Sequence, residues 1–162
     1  MNNKIETAGG IVLKNDKILF IFKRGMWDLP KGKVEGGNSS KKTAKIEISE
    51  ETGLPKSQLK ILKKLIPTHY HKRVDGEVIV KKTEWFLIKF KGDENTPLVP
   101  DRDEGITECK WFAFDELVLV LEKSHGRIRY LIEFFLNTPY YKRYRLKAVS
   151  YTHLRAHETP IN

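Results

Sequence analysis

Hydrophobic residues in several segments of the chain alternate with polar ones in the manner of β-strands. The segment "IVLKNDKILFIF" predicts two strands joined at the turn pair Asn15 and Asp16. The segments "LKILKKLIPTHYHKRV" and "EVIVKKTEWFLIKF" predict another pair of strands, because Asp75 and Gly76 between them favour a two-residue hairpin turn. A further strand is predicted in "ITECKWFAF".

Two other segments have the pattern of helices. Ser39 or Ser40 is a suitable N-cap for a helix that runs to about Thr52, where Gly53 favours a left-handed C-terminal residue. The segment "DELVLVLEKSHGRIRYLIEFFLN" predicts a second helical region, interrupted or kinked near Gly126. The segment "WDLPKGKVEGGNSS" is predicted to be a loop, since proline and glycine break both patterns.

This order of elements, without a repeat or a linker, predicts one α+β domain over residues 1–140 of the 162. Residues 141–162 are expected to be a C-terminal tail. The part from about Tyr151 has neither periodicity and resembles translated library adapter sequence. We expect the end of the tail to be either foreign to the natural protein or disordered.

The formal net charge of +9 favours anionic partners such as nucleotides or polyphosphates, although a lysine-rich solvated surface is the alternative. The single cysteine, Cys109, excludes an internal disulfide and fits a reducing compartment. The N-terminus lacks the apolar core of a signal peptide, and no run approaches the ~18 apolar residues of a membrane span. We therefore expect a cytoplasmic protein without a membrane partner.

Three glutamates are concentrated in the first predicted helix of this basic protein. Glu47, Glu50 and Glu51 stand at i, i+3 and i+4, which places them on one helical face. Like charges at this spacing repel by about 0.2–0.5 kcal/mol per pair. Converging carboxylates are hard oxygen ligands that suit Mg²⁺ or Mn²⁺. The alternative is a solvated acidic face paired with Lys41 or Lys45.

The segment from Gly32 to Leu54 resembles the Nudix box, G-x5-E-x7-R-E-U-x-E-E-x-G-U, where U is a bulky aliphatic residue. Seven of its nine fixed positions match, and the flanking "AGGIVL" and "WDLPKGK" also resemble Nudix hydrolases. Asn38 stands where the family has glutamate, and Ile46 stands where it has arginine. In the family these two positions commonly form an ion pair that braces the loop against the helix, so their joint loss puts the rigidity of the loop in doubt.

The resemblance implies a Nudix-type α/β/α sandwich with a mixed sheet. It also implies metal-dependent hydrolysis of a nucleoside diphosphate linked to another group. Glu47, Glu50 and Glu51 would then hold Mg²⁺ or Mn²⁺. Glu50 and Glu51 are also candidates for activating the attacking water, as is Glu104 in "DRDEGI", whose rival is Asp103.

Four residues are candidates for substrate binding. Lys31 and Lys33, in the glycine-containing loop, would face phosphates, or be ordinary surface lysines. Tyr70 follows the box by 16 residues, a spacing that resembles relatives cleaving diadenosine polyphosphates, and its ring would stack on a base. The alternative is a strand residue that faces solvent. Trp27 would line the nucleotide pocket or only pack in the core.

The expected substrate is a diadenosine polyphosphate or a nucleoside triphosphate. One alternative is a non-catalytic nucleotide-binding module, motivated by Asn38 and Ile46. A second alternative is an RNA-end pyrophosphohydrolase, motivated by the net charge. Without a visible RNA-binding motif, a nucleic-acid partner is not expected.

Overall fold

A mixed sheet of eight strands forms the centre of the computed structural model, which describes residues 3–143. The strands in chain order are β1 Lys4–Lys14, β2 Lys17–Lys23, β3 Met26–Asp28, β4 Lys31–Lys33, β5 Leu59–Lys64, β6 Thr68–Val74, β7 Glu77–Phe90 and β8 Ile106–Ala113. The α-helices include α1 Ser40–Thr52, α2 Leu117–Glu122 and α3 Gly126–Leu136, and residues 139–143 are helical as well. None of these helices is long and apolar enough to cross a bilayer.

The longest pairing in the sheet joins β1 and β7 in parallel, from Lys4 opposite Val80 to Leu13 opposite Lys89. The other pairings are antiparallel. The main strand order is β3-β2-β1-β7-β5, while β4 pairs with β1, β6 with β7 and β8 with β2. The sheet is therefore mixed, as the sequence predicts.

Successive side chains of the central strands point to opposite faces of the sheet, and the buried ones form two separate hydrophobic clusters. On one face, side chains such as Ile11 and Trp85 pack with Leu131 of α3. On the other face, Val12 and Phe86, each the next residue in its strand, pack in the cluster that contains Ile48 of α1. The sheet thus lies between α1 and the pair α2 and α3, which confirms the α/β/α sandwich.

Helix α1 has the ends that its sequence predicts. The Ser39 hydroxyl accepts a hydrogen bond from the backbone N–H of Lys42 at 3.1 Å. At the other end Gly53 has a φ of 80°, and its N–H donates to the Ser49 carbonyl at 2.9 Å. These caps fix which residues of the acidic helix face the sheet.

Other boundaries differ from the prediction. The single strand predicted before Asp75 is two strands, β5 and β6, with Pro67 between them; proline lacks the N–H that a continuous ladder requires. Strands β3 and β4 lie within the predicted loop, and each is too short to show alternation. The predicted interruption near Gly126 is confirmed, because α2 ends at Glu122 and α3 begins at Gly126. The predicted tail lies almost wholly outside the described residues.

Candidate active site

A cavity of about 530 Å³ opens between α1, the paired strands β6 and β7, and the start of α3. It brings together residues that are far apart in sequence. Seven of the eight side chains predicted for the site line it: Lys31, Lys33, Glu47, Glu50, Glu51, Tyr70 and Glu104. The eighth, Trp27, does not.

Glu51 is the most buried carboxylate of the cavity, with 5% of its surface exposed. Its Oε1 accepts a hydrogen bond of 2.9 Å from the backbone N–H of Lys31, at the start of β4. Burial raises the pKa of Glu51 to about 7 and the charge of Glu47 adds to this, while Lys31 opposes it. The ionised form of Glu51 is therefore costly unless further positive charge is supplied.

Glu47 lies against the backbone of Gly32. A Cβ added at position 32 would overlap the carboxylate of Glu47, so glycine is what allows β4 and α1 to approach here. Burial raises the pKa of Glu47 to about 7, followed by repulsion from Glu50 and Glu104. The carboxylates of α1 and that of Glu104, from the turn before β8, line the same cavity.

The side chains of Glu47, Glu50, Glu51 and Glu104 do not enclose a metal site on all sides. Within residues 3–143, no three histidine, cysteine, aspartate or glutamate side chains converge into a ready-made metal site. However, Mg²⁺ typically takes one or two carboxylates and completes its shell with water and substrate phosphates. A set of hard oxygen donors that repel each other in an open cavity fits that mode of binding.

The ammonium group of Lys31 already has a partner. It donates to Oδ2 of Asp28 at 2.8 Å, and both side chains are largely buried. Lys31, which lines the cavity, therefore contacts Glu51 through its backbone and Asp28 through its side chain. Lys33 lines the cavity as well, and it is exposed.

Cations from three other elements, β6, β7 and α3, also line the cavity. The guanidinium carbon of Arg127, on α3, lies 4.1 Å from the centre of the Tyr70 ring, and Nζ of Lys81 lies 5.8 Å from it. Lys72 lines the same region. His125, beside the start of α3, has its pKa lowered by burial and by the nearby charge of Arg127.

Sequence reasoning missed Asp28, Lys81, His125 and Arg127. A signal for Lys81 was present, because a two-residue turn at residues 75 and 76 pairs Tyr70 with Lys81 across the hairpin. No such signal existed for Arg127, since its place beside Tyr70 depends on how α3 packs on the sheet.

Trp27 packs in an aromatic group instead of lining the cavity. Its ring centre lies 4.8 Å from that of Phe22 and 4.8 Å from that of Phe112. Its backbone N–H donates to the Lys123 carbonyl at 2.7 Å. This position corresponds to core packing, the alternative that the sequence left open. Its physical reason is that the indole gains more contact between two rings than at an open cavity.

Asn38 and Ile46, the two departures from the box, also lie outside the cavity lining. Asn38 is in the turn before α1, where its backbone N–H donates to the Glu35 carbonyl at 3.2 Å. Ile46 is a half-buried residue of α1.

The sequence and the fold of this chain are similar to those of known proteins. The putative mutator protein MutT4 of Mycobacterium tuberculosis is 34% identical over 94 residues, which cover 58% of this chain and 35% of that protein. The RNA pyrophosphohydrolase of Sphingopyxis alaskensis is 23% identical over 142 residues, covering 79% of this chain and 90% of that protein.

Among solved structures, a binary complex of the Ap4A hydrolase of C. elegans superposes with a TM-score of 0.61 at 18% identity. The match covers 81% of this chain and 94% of that one. At this identity the similarity shows a common fold. The family model for the NUDIX domain matches residues 4–135. The chain belongs to the Nudix family, as the resemblance of its box implied, and it is a Nudix hydrolase.

Proposed function

We propose that the protein is a metal-dependent pyrophosphohydrolase that cleaves a nucleoside diphosphate linked to another group, with dinucleoside polyphosphates as the preferred substrates. One observation carries the proposal. One cavity is lined by acidic side chains, among them Glu47, Glu50, Glu51 and Glu104, and by basic side chains, among them Lys33, Lys81 and Arg127. Such a mixture of charges suits a substrate whose phosphates are bridged to carboxylates by cations and also contact basic side chains.

Glu47, Glu50 and Glu51 are the residues that would hold Mg²⁺ or Mn²⁺. A divalent cation supplies Lewis-acid chemistry at this place: it neutralises phosphate oxygens and makes a water molecule easier to deprotonate. The hydrogen bond that Oε1 of Glu51 accepts from the Lys31 N–H supports this role, because it orients the carboxylate. The raised pKa of Glu47, caused by burial and by neighbouring carboxylates, is the expected property of an acidic cluster that lacks its counter-charge.

The protein's own groups would move the proton and orient the substrate. Glu50, Glu51 and Glu104 are the proposed proton acceptors for the attacking water. Of these, Glu50 and Glu104 are exposed at the cavity, so a water can reach either without a change in the core. Lys33, which lines the cavity, would contact phosphate oxygens, and Lys31 would contribute positive charge next to Glu51 while its ammonium stays paired with Asp28.

The preference for dinucleoside polyphosphates is supported by the number of cations that line the cavity in addition to the paired Lys31. A short diphosphate would leave part of this positive charge without a partner. The similarity in fold to a protein described as an Ap4A hydrolase points in the same direction.

A second candidate is hydrolysis of a 5′-polyphosphate end on RNA. It is favoured by the similarity to proteins described as RNA pyrophosphohydrolases and by the net charge of +9. The chemistry at the cavity would be the same, but a longer substrate would touch the surface outside it. RNA affinity should then fall steeply with salt through counterion release, whereas a small nucleotide should depend on salt more weakly.

The experiment is a substrate panel with the whole chain. Diadenosine polyphosphates, nucleoside triphosphates, a nucleoside diphosphate sugar and a 5′-triphosphorylated RNA are each incubated with Mg²⁺, with Mn²⁺ or with chelator. Phosphate is measured after treatment with a phosphatase, except for substrates that phosphatase attacks directly, whose products are separated chromatographically. Metal-dependent cleavage of at least one substrate supports the proposal. Binding of nucleotides without any cleavage, under all metal conditions, would favour a non-catalytic module.

A further inference from the structure

Tyr70 carries two cations on its ring within the cavity. Arg127 is the nearer, with its guanidinium carbon 4.1 Å from the ring centre, and Nζ of Lys81 is 5.8 Å away. The pairing of β6 with β7 sets Lys81 directly opposite Tyr70, while Arg127 arrives from the start of α3. Side chains from β7 and α3 therefore converge on a ring that belongs to β6, and all three side chains line the cavity.

We propose that Arg127, held in place by the ring of Tyr70, binds a phosphate beyond the pyrophosphate that is cleaved. The residue would thereby make the enzyme prefer substrates with three or more linked phosphates over substrates with two. This inference rests on the proposed function, and it assigns Arg127 as a specificity-determining residue and Tyr70 as its positioning residue.

Arg127 is available for an anion. Among residues 3–143, no ion pair joins it to a carboxylate, although it is half-buried. Lys31 differs in this respect, because its ammonium is paired with Asp28. A guanidinium that is partly desolvated and faces a cavity gains most from a doubly hydrogen-bonded oxyanion, and phosphate has that geometry.

Arg127 and the acidic cluster reach the same cavity from different elements. Arg127 comes from the start of α3, whereas Glu47, Glu50 and Glu51 come from α1. A polyphosphate with its scissile part at the glutamates would have its further phosphates within the same cavity, where Arg127 would bind one of them.

The role of Tyr70 in this arrangement is to hold the cationic side chains that lie over its ring. The sequence suggested that the ring stacks on a base, but a guanidinium already covers it at 4.1 Å. A cation over an aromatic face is attracted by the ring's quadrupole and loses conformational freedom. The ring therefore fixes a long side chain that would otherwise sample many rotamers, and a fixed arginine binds phosphate with a smaller entropic cost.

The test compares a dinucleoside tetraphosphate with a nucleoside diphosphate sugar, which has two phosphates. For Arg127→Gln we expect kcat/KM for the tetraphosphate to fall about 10- to 100-fold, the range for loss of a charge-assisted hydrogen bond, mainly through KM. Cleavage of the two-phosphate substrate should stay within about threefold. Arg129→Gln is the matched control, because it removes the same charge from an exposed position on the same helix.

Two variants of Tyr70 separate positioning from general stability. Tyr70→Phe keeps the aromatic face and should retain the preference for the tetraphosphate. Tyr70→Leu should lose it, and Tyr70→Leu combined with Arg127→Gln should be no worse than Arg127→Gln alone. Additive effects, or a Phe variant that behaves like the Leu variant, would overturn the positioning role. An equal loss for both substrates in Arg127→Gln, or no loss, would overturn the proposal itself.

A binding measurement distinguishes this inference from the proposed function. Tripolyphosphate and pyrophosphate are titrated calorimetrically into the wild-type and Arg127→Gln proteins with Mg²⁺ present. We expect tripolyphosphate to bind more tightly than pyrophosphate to the wild type, and the difference to disappear in the variant. If no nucleotide is cleaved but this difference is found, the proposed function fails while the phosphate site stands. Equal affinities for the two anions in the wild type would refute the phosphate site.

Discussion

The backbone N–H of Lys31 donates a hydrogen bond to Oε1 of Glu51 at 2.9 Å, joining the strand that precedes the acidic helix to the last turn of that helix. The carboxylate is 5% exposed, so this bond is made in a poorly solvated place. A hydrogen bond to a charged group is worth about 1.5–3 kcal/mol. It opposes the burial that raises the pKa of Glu51, and it also fixes the direction of the carboxylate.

Replacing Glu51 by glutamine should remove most of the activity while keeping the fold. The amide oxygen of the new side chain can still accept from Lys31, but it supplies no charge to a cation. We expect turnover to fall by more than about 100-fold, the upper end of what the loss of an outer-shell partner costs. In chelator, the melting temperature should stay the same or rise, because a buried charge is removed. Activity is measured with Mg²⁺, and melting by calorimetry.

Lys41→Gln is the control for this variant, since Lys41 is an exposed residue of the same helix outside the cavity. It should leave turnover within about threefold, as expected for a surface change. Near-normal turnover of Glu51→Gln would refute its role as a metal ligand. Unfolding of that variant in chelator would instead show a structural role.

Replacing Gly32 by alanine should impair the site more than the fold. The new Cβ would overlap the carboxylate of Glu47, which is the far end of a flexible side chain and can turn away. We expect a fall in the melting temperature of only a few degrees but a clear rise in the Mg²⁺ concentration needed for half-maximal activity. Gly126→Ala, where a Cβ meets open space, is the control. Unchanged metal dependence in Gly32→Ala would contradict the role of Glu47.

The stability of the metal-free protein should decrease as the pH rises. Glu47 and Glu51 have pKa values raised from 4.5 to about 7, mainly by burial, so the folded state holds their protons more tightly than the unfolded state. Their contribution is fully present below pH 4.5 and is lost as the pH rises through about 7. Melting temperatures in chelator, measured between about pH 5 and about pH 8, should show this fall, and Mg²⁺ should oppose it.

The comparison with Glu51→Gln isolates this effect, because the variant should show a smaller fall. His125 acts in the opposite direction: its pKa is lowered, chiefly by burial, so its contribution is present above its usual pKa of 6.5 and lost as the pH falls. The contribution of His125 is the same in the wild type and in Glu51→Gln, so it cancels when the two pH profiles of the melting temperature are subtracted. A pH profile that is identical in the two proteins would show that Glu51 does not titrate abnormally.

Restoring the family's ion pair tests whether substitutions at Asn38 and Ile46 have coupled energetic effects. Ile46→Arg alone should not help, since the guanidinium would have no partner and a half-buried apolar contact is lost. The double variant Asn38→Glu with Ile46→Arg should exceed the sum of the single changes by about 0.5–3 kcal/mol in stability or in transition-state binding. Thermal melting and kcat/KM of all four proteins measure this. Additive single changes would mean that the two positions act independently.

Local chemistry made much of the fold predictable. The caps at Ser39 and Gly53, and the turn at residues 75 and 76, are set by side chains within a few residues of each other, and these features are where the sequence placed them. The split between β5 and β6 was missed because the prediction treats the segment as one strand, although Pro67 within it cannot donate to a ladder. Strands β3 and β4 were missed because a strand of three residues has no periodicity to read.

The site was predictable to the extent that a motif is continuous in the chain. Glu47, Glu50 and Glu51 lie within one helix, so their common face follows from helical geometry. The cationic part of the cavity comes from β6, β7 and α3, and only the folded chain brings Tyr70, Lys81 and Arg127 together. Trp27 shows the reverse case, in which an aromatic residue beside the motif is used by the core.

The parallel pairing of β1 with β7 has a consequence for synthesis of the protein. The hydroxyls of Thr7 and Thr83 hydrogen-bond across this pairing, although they are 76 residues apart in the chain. At ~5–20 residues per second, a ribosome needs roughly 4 to 15 seconds to make that stretch. During that time, β1 can pair only with its antiparallel neighbours β2 and β4, which are synthesised before β7. Arg127 is synthesised later still, so every glutamate of the cavity is already part of the nascent chain before its last cation is added.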